Sequence, residues 1–174
     1  MRRIVAFCTC VAALGLPAAV LARDVAPGDG SLVVRDASGP RNTPVVALTI
    51  TGAAIGHIEQ GRIIIDDPTP GNDVGPVVTG AESRKDLPNT TAQVWSGTDF
   101  KFRAVGGKYT IIIYGSGVDV VALGRGTATL TGLADNTADD GSYSLNGSPD
   151  FQPLPSGPTK LLTIGTPLPT SSIG

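Results

Sequence analysis

The sequence predicts an all-β fold: an antiparallel β-sandwich or barrel-like domain of short strands, with a short β-solenoid as the alternative. Short runs rich in valine, isoleucine and threonine are separated by glycine, proline, asparagine and aspartate, which is the pattern of strands and turns. The 23 glycines and 14 prolines disfavour long helices. No apolar period of 3.6 residues continues beyond Ala22, so the sequence gives no signal for amphipathic helices.

The predicted strands are short and follow one another closely. Phe100 and Phe102 alternate with Lys101, which predicts a strand with one buried face. Gly106-Gly107 lies between two strand-like runs and predicts a two-residue hairpin turn. The predicted strands are Ser31–Arg35, Pro44–Thr51, Ile55–Ile58, Arg62–Asp66, Pro76–Thr79, Thr91–Trp95, Asp99–Val105, Lys108–Tyr114, Val118–Leu123, Arg125–Thr131, Ser142–Leu145 and Lys160–Ile164.

The chain also carries a candidate internal duplication. With an offset of 63 residues, Ile50-Thr51-Gly52 aligns with Ile113-Tyr114-Gly115, and Gly61-Arg62 aligns with Gly124-Arg125. Each segment consists of a strand, a glycine, spaced aliphatic residues, a Gly-Arg pair and a further strand. This interpretation gives the repeat halves 30–80 and 92–147, neither of which could bury its apolar face alone.

The N-terminus has the features of a secretory signal peptide, residues 1–22. Arg2 and Arg3 precede the apolar run Ile4–Ala22, and Ala22 supplies a small residue for cleavage. The alternative is an uncleaved anchor, because about 20 apolar residues can span a bilayer. Pro17 favours cleavage. The remaining chain is predicted to comprise an all-β domain, residues 23–152, and a tail rich in Pro, Ser and Thr, residues 153–174.

Cleavage after Ala22 changes the chemistry of the chain. Cys8 and Cys10 leave with the signal, so the mature protein has no disulfide. Arg2 and Arg3 leave as well, so 13 basic residues fall to 11 against 15 acidic ones. The acidic balance argues against nucleic acid as a partner. We expect a secreted or extracytoplasmic protein with an extracellular or cell-surface partner and no membrane contact after cleavage.

The densest group of oxygen ligands lies near the C-terminal part of the domain. Calcium prefers six to eight oxygen ligands, and Asp, Asn and a glycine at a sharp turn can supply them. An acidic hairpin loop is the alternative interpretation. The candidate metal ligands are Asp135, Asn136, Asp139 and Asp140.

Other polar residues suggest chemistry less directly. His57 is the only histidine, so a Ser-His-acid site would have to use it. Asp66-Asp67 is a candidate carboxylate pair, or else a turn that ends a strand. Arg62 and Arg125 are expected to pair with carboxylates at strand ends or to span the junction between the halves.

The aromatic residues are few, at 5% of the chain. They could stack on sugars, but core or edge packing is the competing interpretation, with Trp95 as the expected core anchor. The residues concerned are Trp95, Tyr109, Tyr114, Tyr143 and Phe151.

The sequence assigns no catalytic residue and no cofactor, apart from the calcium candidate. It favours a secreted non-enzymatic β-domain with a structural or binding role at or outside the cell envelope. The alternatives are a secreted carboxylate-dependent hydrolase and a calcium- or carbohydrate-binding module.

Overall fold

The computed structural model describes residues 26–71, 75–133, 140–159 and 161–166. These residues form eight antiparallel strands in one sheet, and the all-β prediction is confirmed. The sheet is not closed into a barrel. The strands are β1 (Gly30–Ala37), β2 (Val46–Asp66), β3 (Val77–Thr79), β4 (Ser83–Asp86), β5 (Ala92–Leu130), β6 (Ser142–Leu145), β7 (Gln152–Pro153) and β8 (Leu162–Ile164).

The predicted signal peptide, residues 1–22, lies outside the described residues. Within the part of the chain that is described, no helix is long and apolar enough to cross a membrane.

Two long strands, β2 and β5, form most of the sheet. Residues 46–66 of β2 pair with residues 92–113 along one edge and with residues 110–130 along the other. Ile113 therefore lies between Val46 and Ile63, which belong to the same strand. A strand can flank its partner on both sides only by winding around it, so β2 and β5 coil together about a common core.

The coil bends at two rows of paired glycines. A Cβ at Gly115 would lie 2.1 Å from the carbonyl oxygen of Gln60, and its φ is +145°. A Cβ at Gly124 would lie 2.2 Å from the carbonyl oxygen of Thr51. Only glycine allows the backbones to approach this closely. One row contains Gly107, Gly52 and Gly124, and we name it the Gly52 row. The other contains Gly97, Gly61 and Gly115, and we name it the Gly61 row.

The predicted hairpin turn at Gly106-Gly107 is wrong. Val105 pairs with Ala53 and Gly107 pairs with Gly52, so both glycines lie inside β5. Gly106 is one extra residue opposite an uninterrupted β2, and its φ is +90°. The glycines form a bulge that bends the strand, not a turn that reverses it.

Glycine bulges and bends also explain why the strands are fewer and longer than the sequence predicts. Four predicted strands between Ser31 and Asp66 correspond to only two, β1 and β2, and five between Thr91 and Thr131 correspond to β5 alone. Here glycine bends the strand without ending its pairing. The predictions at Ser142–Leu145, Pro76–Thr79 and Lys160–Ile164 correspond to β6, β3 and β8, whereas β4 and β7 were not predicted.

The shorter strands extend the sheet at its edges. β1 pairs with β5 and β6, and β6 pairs with β7. β3, β4 and β8 each pair with β5. All of this pairing is antiparallel, unlike the parallel stacking of turns in a solenoid.

A single apolar cluster fills the interior. Tyr109 and Phe100 are its largest fully buried side chains, and Trp95 is 6% exposed, so the expected core anchor is confirmed. Leu154 and Ile164, from the predicted C-terminal tail, belong to the same cluster. Burial of each large aliphatic side chain contributes roughly 1.5–3 kcal/mol, which matters because the described residues contain no cysteine and hence no disulfide.

Candidate functional site

A surface cleft of about 530 Å³ lies where β2 and β5 bend at the Gly61 row. Its volume falls in the range of small-ligand sites, roughly 300–1,000 Å³. We name it the Arg62 cleft. Its lining residues are Gly39, Arg41, Gln60, Gly61, Arg62, Ser96, Tyr114, Gly115 and Ser116.

Two structural features shape the cleft. Gly61 and Gly115 pair directly, and the lack of side chains leaves their backbone accessible at the lining. The loop between β1 and β2 is fixed beside them, because the amide of Gly39 donates to the carbonyl of Gly115 at 3.2 Å. This loop brings Arg41 to the cleft.

The Arg62 guanidinium stacks on an aromatic ring at the cleft. Its Cζ lies 4.1 Å from the centre of the Tyr114 ring, a cation–π arrangement that restrains the side chain. Tyr114 is the cross-strand neighbour of Arg62, so the pairing register sets this contact. Three salt bridges join described residues, and none of them involves Arg62 or Arg41.

Arg125 occupies the corresponding place at the Gly52 row. Like Arg62, it directly follows a glycine that is paired with another glycine, Gly52. Its Nε donates to Asp29 Oδ1 at 3.0 Å, and its Nη2 donates to the carbonyl of Pro27. Asp29 directly precedes β1. We name this arrangement the Arg125 corner.

The two arginines identified from the sequence therefore have different partners in the structure. Arg125 pairs with a carboxylate at a strand end, as expected, whereas Arg62 stacks on a tyrosine at the cleft. The cleft residues that sequence reasoning missed are Arg41, Gln60, Ser96 and Ser116. The Gly61-Arg62 pair indicates this part of β2, but the cross-strand register that brings Ser96 and Ser116 beside it cannot be inferred from a single sequence.

His57 lies away from the cleft lining. Its Nε2 is 2.8 Å from Asp99 Oδ1, and the side chains are 28% and 87% exposed. The cross-strand neighbours of His57 are Lys101 and Asp119. No seryl or threonyl hydroxyl in the described chain is hydrogen-bonded to the ring. The contact between His57 and Asp99 is a surface ion pair when the imidazole is protonated.

Asp66 and Asp67 have separate local partners. Asp66 ends β2 and accepts a hydrogen bond from the Thr91 hydroxyl. Asp67 is 5% exposed, and its Oδ1 accepts from the Thr69 amide at 3.0 Å. The Asp67 contact stabilises the turn that follows β2, whereas the Asp66 contact joins the end of β2 to the residue before β5.

The candidate calcium ligands are described only in part. Asp135, Asn136 and Asp139 lie outside the described residues. Asp140 is 1% exposed, and its main-chain carbonyl accepts from the Ser38 amide at 3.1 Å. Among the described residues no group of three or more His, Cys, Asp or Glu side chains could hold a metal ion.

The aromatic residues do not form one common face. Trp95 and Tyr109 belong to the core. The guanidinium groups of Arg62 and Arg35 lie over the rings of Tyr114 and Phe151 respectively, and that of Arg84 lies 5.8 Å from the centre of the Trp95 ring. Tyr143 donates its hydroxyl hydrogen to Gln152 on the neighbouring strand.

Comparison of the chain with protein-family models, with curated proteins and with solved structures finds no match.

Proposed function

We propose that this chain is an exported, non-enzymatic binding domain that acts at or outside the cell envelope, and that the Arg62 cleft receives an anionic ligand. The observation that carries the proposal is the pair of arginines at the cleft. Arg41 and Arg62 line it together, and neither forms a salt bridge with a described residue. A guanidinium offers several N–H donors in one plane, which suits carboxylates and phosphates.

The contrast in charge supports a specific site. The whole chain has a net charge of −2, which becomes about −4 after loss of Arg2 and Arg3. An acidic protein repels polyanions in general. A lining with two arginines and no acidic residue therefore provides local attraction against an unfavourable background.

The lining also favours binding over catalysis. It contains the hydroxyls of Ser96, Ser116 and Tyr114, but no histidine, aspartate or glutamate that could act as a general base. The side chains suit recognition, because serine, glutamine and arginine together donate and accept hydrogen bonds.

Export is supported by the sequence of residues 1–22, in which Arg2 and Arg3 precede the apolar run Ile4–Ala22. N-terminal sequencing of the protein secreted by an expression host tests this point. We expect the mature chain to begin at Arg23, and an intact Met1 would contradict it.

The binding proposal is tested with the mature chain and two fluorescein-labelled polyanions, poly-L-glutamate and polygalacturonate. We expect saturable binding in fluorescence anisotropy at low salt, about tenfold weaker for Arg62→Gln and for Arg41→Gln. Arg103→Gln is the matched control, because Arg103 is an exposed arginine elsewhere on β5. Equal losses in all three variants, or no binding to either polymer, would contradict the proposal.

The candidate duplication is a second proposal, and the pairing register supports it. Gly52 pairs with Gly124, and Gly61 pairs with Gly115. The offset of 63 residues places Gly52 on Gly115 and Gly61 on Gly124. Exchange of the two segments therefore converts the pair Gly52–Gly124 into the pair Gly115–Gly61, which the structure also contains. A profile of homologous sequences tests it: the halves should be more alike in the profile than in this chain, and a profile in which only the glycines agree would contradict it.

A further inference from the structure

We infer that the Arg62 cleft binds an acidic peptide segment of a partner protein, one that presents an aspartate carboxylate and a main-chain carbonyl together. This inference rests on the proposed function, because it names the class of anion that the cleft takes. It is drawn from the Arg125 corner, where the chain itself places such a segment against the corresponding arginine.

The two arginines have matching backbone surroundings. Arg62 follows Gly61, which is paired with Gly115, and Arg125 follows Gly124, which is paired with Gly52. In both places the backbones approach too closely for a Cβ. The arginine at each place therefore extends from a strand bend of the same construction.

The segment at the Arg125 corner is a tight turn. The amide of Asp29 donates to the carbonyl of Ala26 at 2.8 Å, Pro27 follows Ala26, and Gly28 has a φ of +90°. Proline and then a glycine with positive φ are the features of a type II turn. The turn directs the Pro27 carbonyl and the Asp29 carboxylate to one guanidinium.

The turn is held from its other side as well. The carbonyl of Gly28 accepts a hydrogen bond from the Thr166 amide at 2.7 Å. The corner therefore recognises the main chain of the segment in addition to its carboxylate. Recognition of both features distinguishes a peptide from a free carboxylic acid.

The Arg62 cleft offers corresponding groups. Gln60, Ser96 and Ser116 line it beside Arg62, and their side chains can donate and accept hydrogen bonds to a main-chain amide or carbonyl. The Ser96 hydroxyl is hydrogen-bonded to that of Ser83 at 2.7 Å, which leaves it capacity for a further bond. Arg62 is restrained on Tyr114 before any ligand arrives, which lowers the conformational entropy lost on binding. Arg41 adds a second positive charge beside Arg62, whereas Arg125 is the one basic partner of Asp29 among the described residues. We therefore expect peptides with two acidic residues to bind at the cleft more tightly than those with one.

The test uses a labelled, end-blocked hexapeptide with the sequence of residues 26–31, which contains the turn and its single aspartate. We expect saturable binding to the mature chain by fluorescence anisotropy. Replacement of the peptide aspartate by asparagine should weaken binding about tenfold, as should Arg62→Gln in the protein. Arg103→Gln should leave the affinity unchanged.

A second variant identifies where the peptide binds. Asp29→Asn weakens the contact of the chain's own turn with Arg125. Binding at the Arg62 cleft should not respond to this change. Tighter binding to Asp29→Asn, together with unchanged binding to Arg62→Gln, would show that the peptide displaces the turn at the Arg125 corner and would overturn the inference.

A trimer of galacturonate separates this inference from the proposed function. If the trimer binds through Arg62 as tightly as the peptide, the cleft takes anions without peptide recognition and the inference fails alone. The inference also fails alone if a polyanion binds and the peptide does not, because the turn segment is then not recognised. If neither peptide nor polyanion binds, both proposals fail.

Discussion

Two arginines at equivalent bends of one coiled strand pair have different environments. At the Arg125 corner the guanidinium is bonded to Asp29 and Pro27, and its side chain is 31% exposed. At the Arg62 cleft the guanidinium rests on the ring of Tyr114 and is exposed. The difference comes from what the rest of the described chain supplies: residues 26–29, directly before β1, contact Arg125.

The comparison separates the role of the glycines from the role of the arginines. The glycine rows have the same role in both places, because they let backbones approach where the strands bend. The arginines differ, because one stabilises the N-terminal segment and the other lines a cleft. A shared local construction thus serves the fold at one bend and, we propose, recognition at the other.

The largest expected effect is the loss of stability that follows substitution of a glycine in either row. Gly115→Ala and Gly124→Ala each place a Cβ within 2.2 Å of a carbonyl oxygen at a positive φ. We expect each to lower the free energy of unfolding by about 3 kcal/mol, measured by urea denaturation. Gly157→Ala is the control, because a Cβ there meets nothing within 4 Å. A large loss at one row and none at the other would refute the equivalence of the two bends.

The next largest effect is the difference in stability between variants of the two arginines. Arg125→Gln removes a salt bridge and a hydrogen bond to a carbonyl, both partly exposed, and should cost about 1–2 kcal/mol. Arg62→Gln should cost about 0.5 kcal/mol or less. Thermal denaturation measures both. Similar melting temperatures for the two variants would mean that the N-terminal turn does not stabilise the fold.

A smaller effect concerns the restraint of Arg62. Tyr114→Leu removes the ring that lies 4.1 Å from the guanidinium, an interaction of about 0.5–1 kcal/mol when exposed. We expect affinity for poly-L-glutamate to fall roughly two- to fivefold in fluorescence anisotropy. Tyr114→Phe keeps the ring and should bind like the parent chain. Equal weakening in both variants would assign the effect to the hydroxyl.

The smallest expected effect is the response of the two sites to salt. Raising the ionic strength from 0.01 to 0.15 M shortens the Debye length from about 30 to 8 Å. Poly-L-glutamate binding at the exposed Arg62 should weaken, whereas the stability difference between the parent chain and Arg125→Gln should change little, since that ion pair is only about one-third exposed. Salt-independent polymer binding would argue against an electrostatic cleft.

The sequence predicted the all-β fold class, because the alternation of Val, Ile and Thr with glycine and proline is a local signal. It did not predict strand length. Gly52, Gly106 and Gly115 carry the same local signal as turn glycines, and only the long-range pairing of β2 with β5 shows that they bend a continuous strand. The arginines were identified from the Gly-Arg pattern, but their different partners were not, since Asp29 lies almost a hundred residues from Arg125 in sequence.

The pairing scheme also has a consequence for the order of events during synthesis and transport. Among the described residues, β1 to β4 pair with β5 or β6 and never with one another. The described strands that precede Ala92 therefore have no pairing of their own to form, and a nascent chain that ends before β5 leaves them without their native partners. Folding awaits Ala92–Leu130, and its long-range pairings make it slow. Such a delay suits the proposed export, because a polypeptide that has not yet folded can be threaded through a narrow channel.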